Sequence, residues 1–95
     1  MDEEKRLRSK NKWTQKSIEI RERANYLCEV CRDQGVWTYE NVEVHHIRKI
    51  KDNPEMYLEN ENLICLCQLH HKAADNNKID VNYLISLAIK RESAK

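Results

Sequence analysis

The 95-residue sequence has no phenylalanine, one glycine and one proline, and only 40% of its residues are hydrophobic. A chain this short and this poor in large apolar side chains builds a thin core, so an additional staple is expected. No apolar run is long enough to span a bilayer. The opening segment "MDEEKRLRSK" is charged where a secretory signal would carry an apolar stretch. The expectation is a cytoplasmic protein, of a bacterial or phage-infected cell, with no membrane partner. In that reducing compartment cysteines favour metal over disulfide. Net charge is only +1, which excludes a globally basic protein. The charge is unevenly spread, however. Residues 5 to 23 carry eight Lys/Arg against two Glu, and residues 52 to 95 carry five against seven Asp/Glu. Such a run is either a solvated arm or an electrostatic footprint for phosphates.

There are no repeats, low-complexity tracts or linkers. Residues 1–11 lack apolar periodicity and read as a basic, disordered arm; residues 12–95 read as one domain with its core at about 24–75. Trp13, Ser17, Ile20, Ala24 and Leu27 recur at helical spacing and predict an amphipathic helix. "YLCEVCRDQG" reads as a tight turn closed by Gly35. "VWTYENVEVHHI" reads as one or two short strands around Asn41, with Trp37 and Tyr39 directed to the core in preference to stacking on bases. A loop with a helical turn at Pro54 leads to a second apolar strand, "NLICLC". "QLHHKAADNN" predicts a short helix fading at its Asn pair. Asp80 can cap a last helix in which Val81, Leu84, Ile85 and Ala88 form one stripe. The fold class expected is α+β with helical ends.

Four cysteines and four histidines are what the chain has instead of a large core. Cys28 and Cys31 form a C-x2-C, the turn in which two thiolates grip one tetrahedral ion. Cys67-x2-His70 repeats that geometry with an imidazole as the fourth ligand. Together they specify a Cys3His structural zinc site. Cys65 is a competitor for Cys67, but it is not two residues from His70 and it alternates with Leu66 as a strand residue does. It reads as a small apolar core residue. Zinc bound in a small module contributes on the order of 10 kcal/mol of apparent folding energy, which offsets the thin core.

Three histidines remain: His45, His46 and His71. In the order His46, Asn62, His71, with the zinc knuckles interleaved, "YLCEVC", "VEVHHI", "ENLICLC" and "CQLHHK" resemble the HNH endonuclease family, in its small phage type. The resemblance covers roughly residues 24 to 73. It implies a ββα-metal fold with structural zinc alongside and flanking N- and C-terminal helices. It implies His46 as general base, and Asn62 as a residue that braces the loop bearing the base or helps ligate the metal. It implies His45 and His71 as ligands of one catalytic divalent ion: Mg²⁺, Mn²⁺, Ni²⁺, Co²⁺ or Zn²⁺. His45 stands where the family more commonly has Asp. Neighbours in a strand face opposite ways and neighbours in a helix diverge by about 100°. Each histidine doublet can therefore divide its labour, His70 serving the zinc and His71 the catalytic ion.

The chemistry implied is phosphodiester hydrolysis. A neutral imidazole can deprotonate water near neutral pH, and a metal offsets charge on the transition state and the departing oxygen. Lys16, Arg21 and Arg23 on the first helix, with Arg48, Lys49, Lys51 and Lys72 beside the histidines, are candidates for phosphate contact; solvated surface charge is the plain alternative. The expected function is a metal-dependent DNA endonuclease or nickase of low sequence specificity, acting as a monomer. The phage resemblance implies a place in genome packaging with terminase or portal partners. A non-catalytic zinc module binding nucleic acid or protein is the competing class. Nothing in the residues separates DNA from RNA.

Overall fold

The computed structural model describes residues 11–93. The basic arm expected at the N-terminus therefore lies, apart from Asn11, outside the described residues. The elements are α1 (Asn11–Arg23), α2 (Glu29–Asp33), β1 (Glu43–His46), 3₁₀ turns at Pro54–Met56 and Asn60–Asn62, β2 (Leu63–Leu66), α3 (Gln68–Asp75) and α4 (Val81–Ser93). β1 and β2 pair antiparallel, with His45 opposite Ile64 and His46 opposite Leu63. This is a ββα arrangement with a helix at either end.

Period-2 geometry gives the sheet two different faces. On one, Val44 and Leu63 meet Ile20 of α1, with Trp13 packed against them. On the other, Ile64 and Leu66 join Ala74 of α3, Leu84, Leu87 and Ala88 of α4, and the cysteines Cys28, Cys31 and Cys67. The two strand histidines are thereby divided. His45 lies on the α3 side and His46 on the α1 side.

The free edge of β2 is closed by side chains. The buried Glu29 carboxylate accepts from the Cys65 backbone N–H at 2.8 Å and from Arg91 Nη1 at 2.8 Å. Burial pushes the Glu29 carboxyl above the usual range, and Arg91 with the Cys65 N–H pulls it back down. Arg91 also donates to the Leu63 and Asn60 carbonyls, at 2.8 and 2.6 Å. One guanidinium thus ties α4 to both ends of the second 3₁₀ turn. An Arg so placed, with its partners removed, would be costly to keep buried.

Several expectations are corrected in detail. The helical stripe ends at Arg23, because Asn25 and Tyr26 adopt φ of 56° and 59° and reverse the chain. Ala24 stays buried beyond the helix. The cysteine turn contains a helix of its own, α2, capped by Cys28 and terminated where Gly35 takes φ +83°. Only one strand forms between Val36 and Ile47, since Asn41 at φ 53° breaks any pairing before it. Trp37 and Tyr39 are not core: they are 64% and 66% exposed. The segment is fixed by its backbone instead, with Cys28 N–H donating to Thr38 O and Val36 N–H to Cys31 O. The last two helices stand as expected, α3 ending at the Asn pair, with Asn77 at φ 57°, and Asp80 accepting from the Asn82 N–H at the start of α4.

Candidate active site and metal centres

Two groups of potential metal ligands form among the described residues: Cys28, Cys31, Cys67 and His70, and separately His45, His71 and Asp75. In the first, His70 Nδ1 lies 3.5, 3.4 and 3.3 Å from the sulfurs of Cys28, Cys31 and Cys67, and the Cys31 and Cys67 sulfurs are 3.9 Å apart. A tetrahedral zinc with ordinary bond lengths separates sulfur from nitrogen by about 3.6 Å and sulfur from sulfur by about 3.8 Å. The four atoms fit. The protonation chemistry fits as well. Burial pushes the Cys28 thiol up to about 12, helped by the neighbouring thiols. At Cys67 burial pulls the same way, but the backbone N–H of His70 and Leu69 and the thiols of Cys28 and Cys31 bring it below the ordinary value. Cys67 caps α3, where exposed N–H groups favour an anion.

Cys65 is not in this group. It is buried, its N–H is committed to Glu29, and burial holds its thiol up to about 12. The choice of Cys67 over Cys65, made from spacing, agrees with the geometry.

In the second group His45 Nδ1 is 3.4 Å and His71 Nε2 3.7 Å from the two Asp75 oxygens, and the His45 and His71 rings meet edge to face at 5.1 Å. His71 Nδ1 turns toward Glu43 Oε2 at 3.5 Å. Burial, then the proximity of His71, lowers His45 to about 4, so its imidazole is neutral and open to a metal at neutral pH. Asp75 was missed by sequence reasoning. The signal was present: it lies four residues past His71, on the same face of α3. Its carboxylate makes the donor set two imidazoles and an anion rather than two neutral ligands, which suits harder ions better.

The His46 ring meets Tyr57 and Trp13. Its Nε2 is 3.1 Å from the Tyr57 carbonyl oxygen, which can only accept, so Nε2 donates. The indole of Trp13 stacks on the ring at a centroid distance of 4.5 Å and 27° between planes. Asn62, only 1% exposed, does not join the metal group. Its Oδ1 accepts from Arg48 N–H at 2.8 Å, and its Nδ2 donates to the Arg48 and Met56 carbonyls at 3.2 and 3.4 Å. It braces the loop leaving β1 and the residue before Tyr57. The Tyr57 carbonyl could not have been foreseen, because a backbone acceptor leaves no mark in a sequence.

These groups share one cavity of about 520 Å³, lined by Trp13, Arg21, Glu43, His45, His46, Lys49, Lys51, His71 and Asp75 among others. Of the seven cations expected at phosphates, Arg21, Lys49 and Lys51 line it. Arg48 and Lys72 are exposed but outside that lining. Lys16 and Arg23 are held elsewhere: Lys16 Nζ donates to Asn60 Oδ1 at 2.7 Å, and Arg23 pairs with Glu19 and Glu92.

No helix of the described residues is long and apolar enough to cross a membrane, and no curated protein sequence matches the chain. Among solved structures, the HNH endonuclease of the deep-sea thermophilic bacteriophage GVE2, determined with a manganese ion, is similar at 26% identity and a TM-score of 0.69, over 78% of this chain and 82% of that one. The family model for HNH endonucleases matches residues 28–77, a span running from the first zinc-type cysteine past Asp75 and covering more than half of the sequence. With His46, Asn62 and His71 inside that span and the two ligand groups assembled around them, the chain belongs to the HNH endonuclease family and is a nuclease.

Proposed function

We propose that the protein is a metal-dependent DNA endonuclease or nickase in which His46 is the general base. The observation that carries this reading is the placement of His46, with its Nε2 held by the Tyr57 carbonyl, in the same cavity as His45, His71 and Asp75. His46 removes the proton from the attacking water. His45, His71 and Asp75 hold the catalytic ion, and a divalent ion bound there supplies positive charge to the scissile phosphate and the departing oxygen. Manganese, present in the phage neighbour, suits two imidazoles and a carboxylate, as do Ni²⁺, Co²⁺ and Zn²⁺; Mg²⁺ binds more weakly. Asn62 fixes the loop and so keeps the base in place. Arg21, Lys49 and Lys51 receive the backbone phosphates, and zinc on Cys28, Cys31, Cys67 and His70 is structural. Contacts of this kind read phosphate rather than bases, which supports low sequence specificity. The phage origin of the neighbour supports a place in genome packaging beside terminase and portal proteins. The cytoplasm of the host cell, a monomeric state and a single domain over residues 12–95 belong to the same proposal.

The test is cleavage of supercoiled plasmid across a panel of divalent ions, with His46→Ala and His45→Ala beside the wild type. His46→Ala should bind ion and DNA normally and cut at least about a hundredfold more slowly. His45→Ala should lose ion affinity and recover in part at high metal. Swapped phenotypes reverse the two roles, and wild-type cutting by both refutes the mechanism.

A further inference from the structure

We propose that Glu43 is a positioning residue for His71, receiving the hydrogen on Nδ1 so that Nε2 is left to the divalent ion. The inference rests on the reading of His71 as an ion ligand.

Side chains of β1 alternate between its faces, so Glu43 and His45 share the side toward α3, while Val44 and His46 share the side toward α1. His71 of α3 lies across the first side with a carboxylate at each ring nitrogen. Asp75 Oδ2 is 3.7 Å from Nε2, and Glu43 Oε2 is 3.5 Å from Nδ1. The two carboxylates are not equivalent. Asp75 also reaches His45 and belongs to the ligand group, whereas Glu43 does not. The 3.4 Å between His45 Nδ1 and Asp75 Oδ1 is the separation of two donors that each stand about 2.1 Å from one tetrahedral ion. The ion side of the His71 ring is therefore the Nε2 side. A neutral ring that lends the Nε2 lone pair keeps its hydrogen on Nδ1, where Glu43 faces it. An ionised carboxylate there can only accept, so it fixes the tautomer and the rotation of the ring and makes Nε2 more basic.

His71 has more need of such a partner than His45 has. The His45 side chain is 8% exposed and packed at the sheet, whereas that of His71 is 25% exposed on a helix of eight residues. Glu43 is also ill placed to be a plain surface charge. It lines the cavity beside Arg21, Lys49 and Lys51, where an unengaged carboxylate would repel the phosphates that those cations attract. A carboxylate that shares the hydrogen of a ligating imidazole has part of that charge offset. Carboxylate partners of this kind typically contribute 10- to 100-fold in ion affinity, roughly.

The experiment compares Glu43→Ala and Glu43→Gln in the full-length protein with its structural zinc in place. The Glu43 side chain is more than half exposed, so both variants should fold and melt near the wild-type temperature. By titration calorimetry, Kd for Mn²⁺ should rise about 10- to 100-fold in Glu43→Ala. It should rise less in Glu43→Gln, whose amide oxygen can still accept. Raising Mn²⁺ should restore most of the cleavage that Glu43→Ala has lost. Kd for plasmid DNA measured without Mn²⁺ should not rise, because the charge removed is negative. With diamagnetic Zn²⁺ in the second site, nitrogen-coupled NMR should show a slowly exchanging Nδ1 hydrogen on His71 in the wild type. That signal should be lost to exchange in Glu43→Ala and kept in Glu43→Gln. Unchanged Mn²⁺ affinity in Glu43→Ala overturns the proposal. So does a loss of affinity with the Nδ1 hydrogen still protected, which would make Glu43 a ligand or a source of charge alone. Equal loss of affinity in both substitutions overturns it too, since only the charge would then matter. If His71→Ala binds Mn²⁺ as the wild type does, it is the ligand reading that has failed. If His71→Ala binds weakly and Glu43→Ala normally, only the positioning by Glu43 has failed.

Discussion

Asn62→Ala is the substitution whose consequences can be worked out furthest. The side chain is buried and makes three hydrogen bonds to backbone atoms, at 2.8, 3.2 and 3.4 Å. Removing it strands the Arg48 N–H and weakens the satisfaction of two carbonyls, and leaves a small cavity. Buried groups left without partners cost about 1–3 kcal/mol each where water cannot reach them. Two of the three bonds are long, so roughly 2–4 kcal/mol in total is expected. For a chain of this size that lowers the melting temperature by roughly 10–20 °C. The catalytic effect is separate. Met56 O, which Asn62 holds, precedes Tyr57 O, which holds His46. At a temperature where the variant remains folded, single-turnover cleavage should fall about 10- to 100-fold, while divalent-ion affinity stays near wild type. Asn62→Asp sharpens the test. It keeps the acceptor for Arg48 N–H but turns a second oxygen toward two carbonyls. Its carboxyl is therefore pushed up, and the variant should be more stable at low pH and lose that stability as pH rises. Calorimetry, metal titration and quenched-flow cleavage on the same samples measure all three quantities. Collapse of ion affinity with an unchanged melting temperature would make Asn62 a ligand and refute the bracing argument.

Three further outcomes follow from the geometry. Cys67→Ser should lose zinc and unfold the domain, whereas Cys65→Ser should keep zinc and cost only the burial of a hydroxyl, about 1–3 kcal/mol; zinc content and thermal melts of the two variants decide it, and equal collapse would mean the wrong cysteine was assigned. Burial holds His45 down to about 4 in the folded chain against about 6.5 when unfolded, so its contribution to stability is complete above about pH 6.5 and is lost as pH falls toward 4; in urea melts the stability of wild type relative to His45→Phe should fall as pH drops through that window, and parallel curves would contradict the shift. Arg21→Ala should weaken DNA binding across unrelated sequences and reduce the salt slope by about one, whereas Lys16→Ala and Arg23→Ala, tied to Asn60 and Glu92, should chiefly lower thermal stability; equal loss of DNA affinity in all three would mean those ion pairs open when DNA binds.

The Cys3His group was legible because metal chemistry fixes ligand type and spacing independently of the surrounding fold. The helices were legible from apolar periodicity, and β2 from its continuous apolar run. The errors have a common origin in tertiary decisions. Trp37 and Tyr39 look like core strand residues, but a left-handed Asn41 separates them from β1 and leaves them at the surface. α2 is five residues long and is held by its cap and by the Thr38 strap, neither of which is periodic. The cations of α1 are indistinguishable in sequence, and only the fold separates Arg21 at the cavity from Lys16 and Arg23 at Asn60 and Glu92. Trp13 was read as one member of an apolar stripe; its indole does pack there, but one face of it meets His46.

How so thin a core can hold a catalytic geometry is answered by what the core contains. Cys28, Cys31 and Cys67 are members of the larger apolar cluster, so the candidate metal ligands and the packed side chains are the same residues. α3 leaves Cys67 and carries His70 to that group and His71 and Asp75 to the other, so its rotation is set at the Cys3His end. β1 is registered against β2, and β2 is fixed at its outer edge by Glu29, which directly follows Cys28. The position of His45 relative to His71 is therefore determined by two connections, both rooted in the Cys3His cluster: one through α3, the other through Glu29, β2 and β1. His46 is set by a third group, Trp13, Tyr57 O and Asn62, which reaches α4 through Arg91 and Asn60. Loss of zinc should therefore disorder the ion site before it disorders the base. That order can be read in NMR during slow chelation, as the His45 and His71 resonances broaden ahead of the stacked His46.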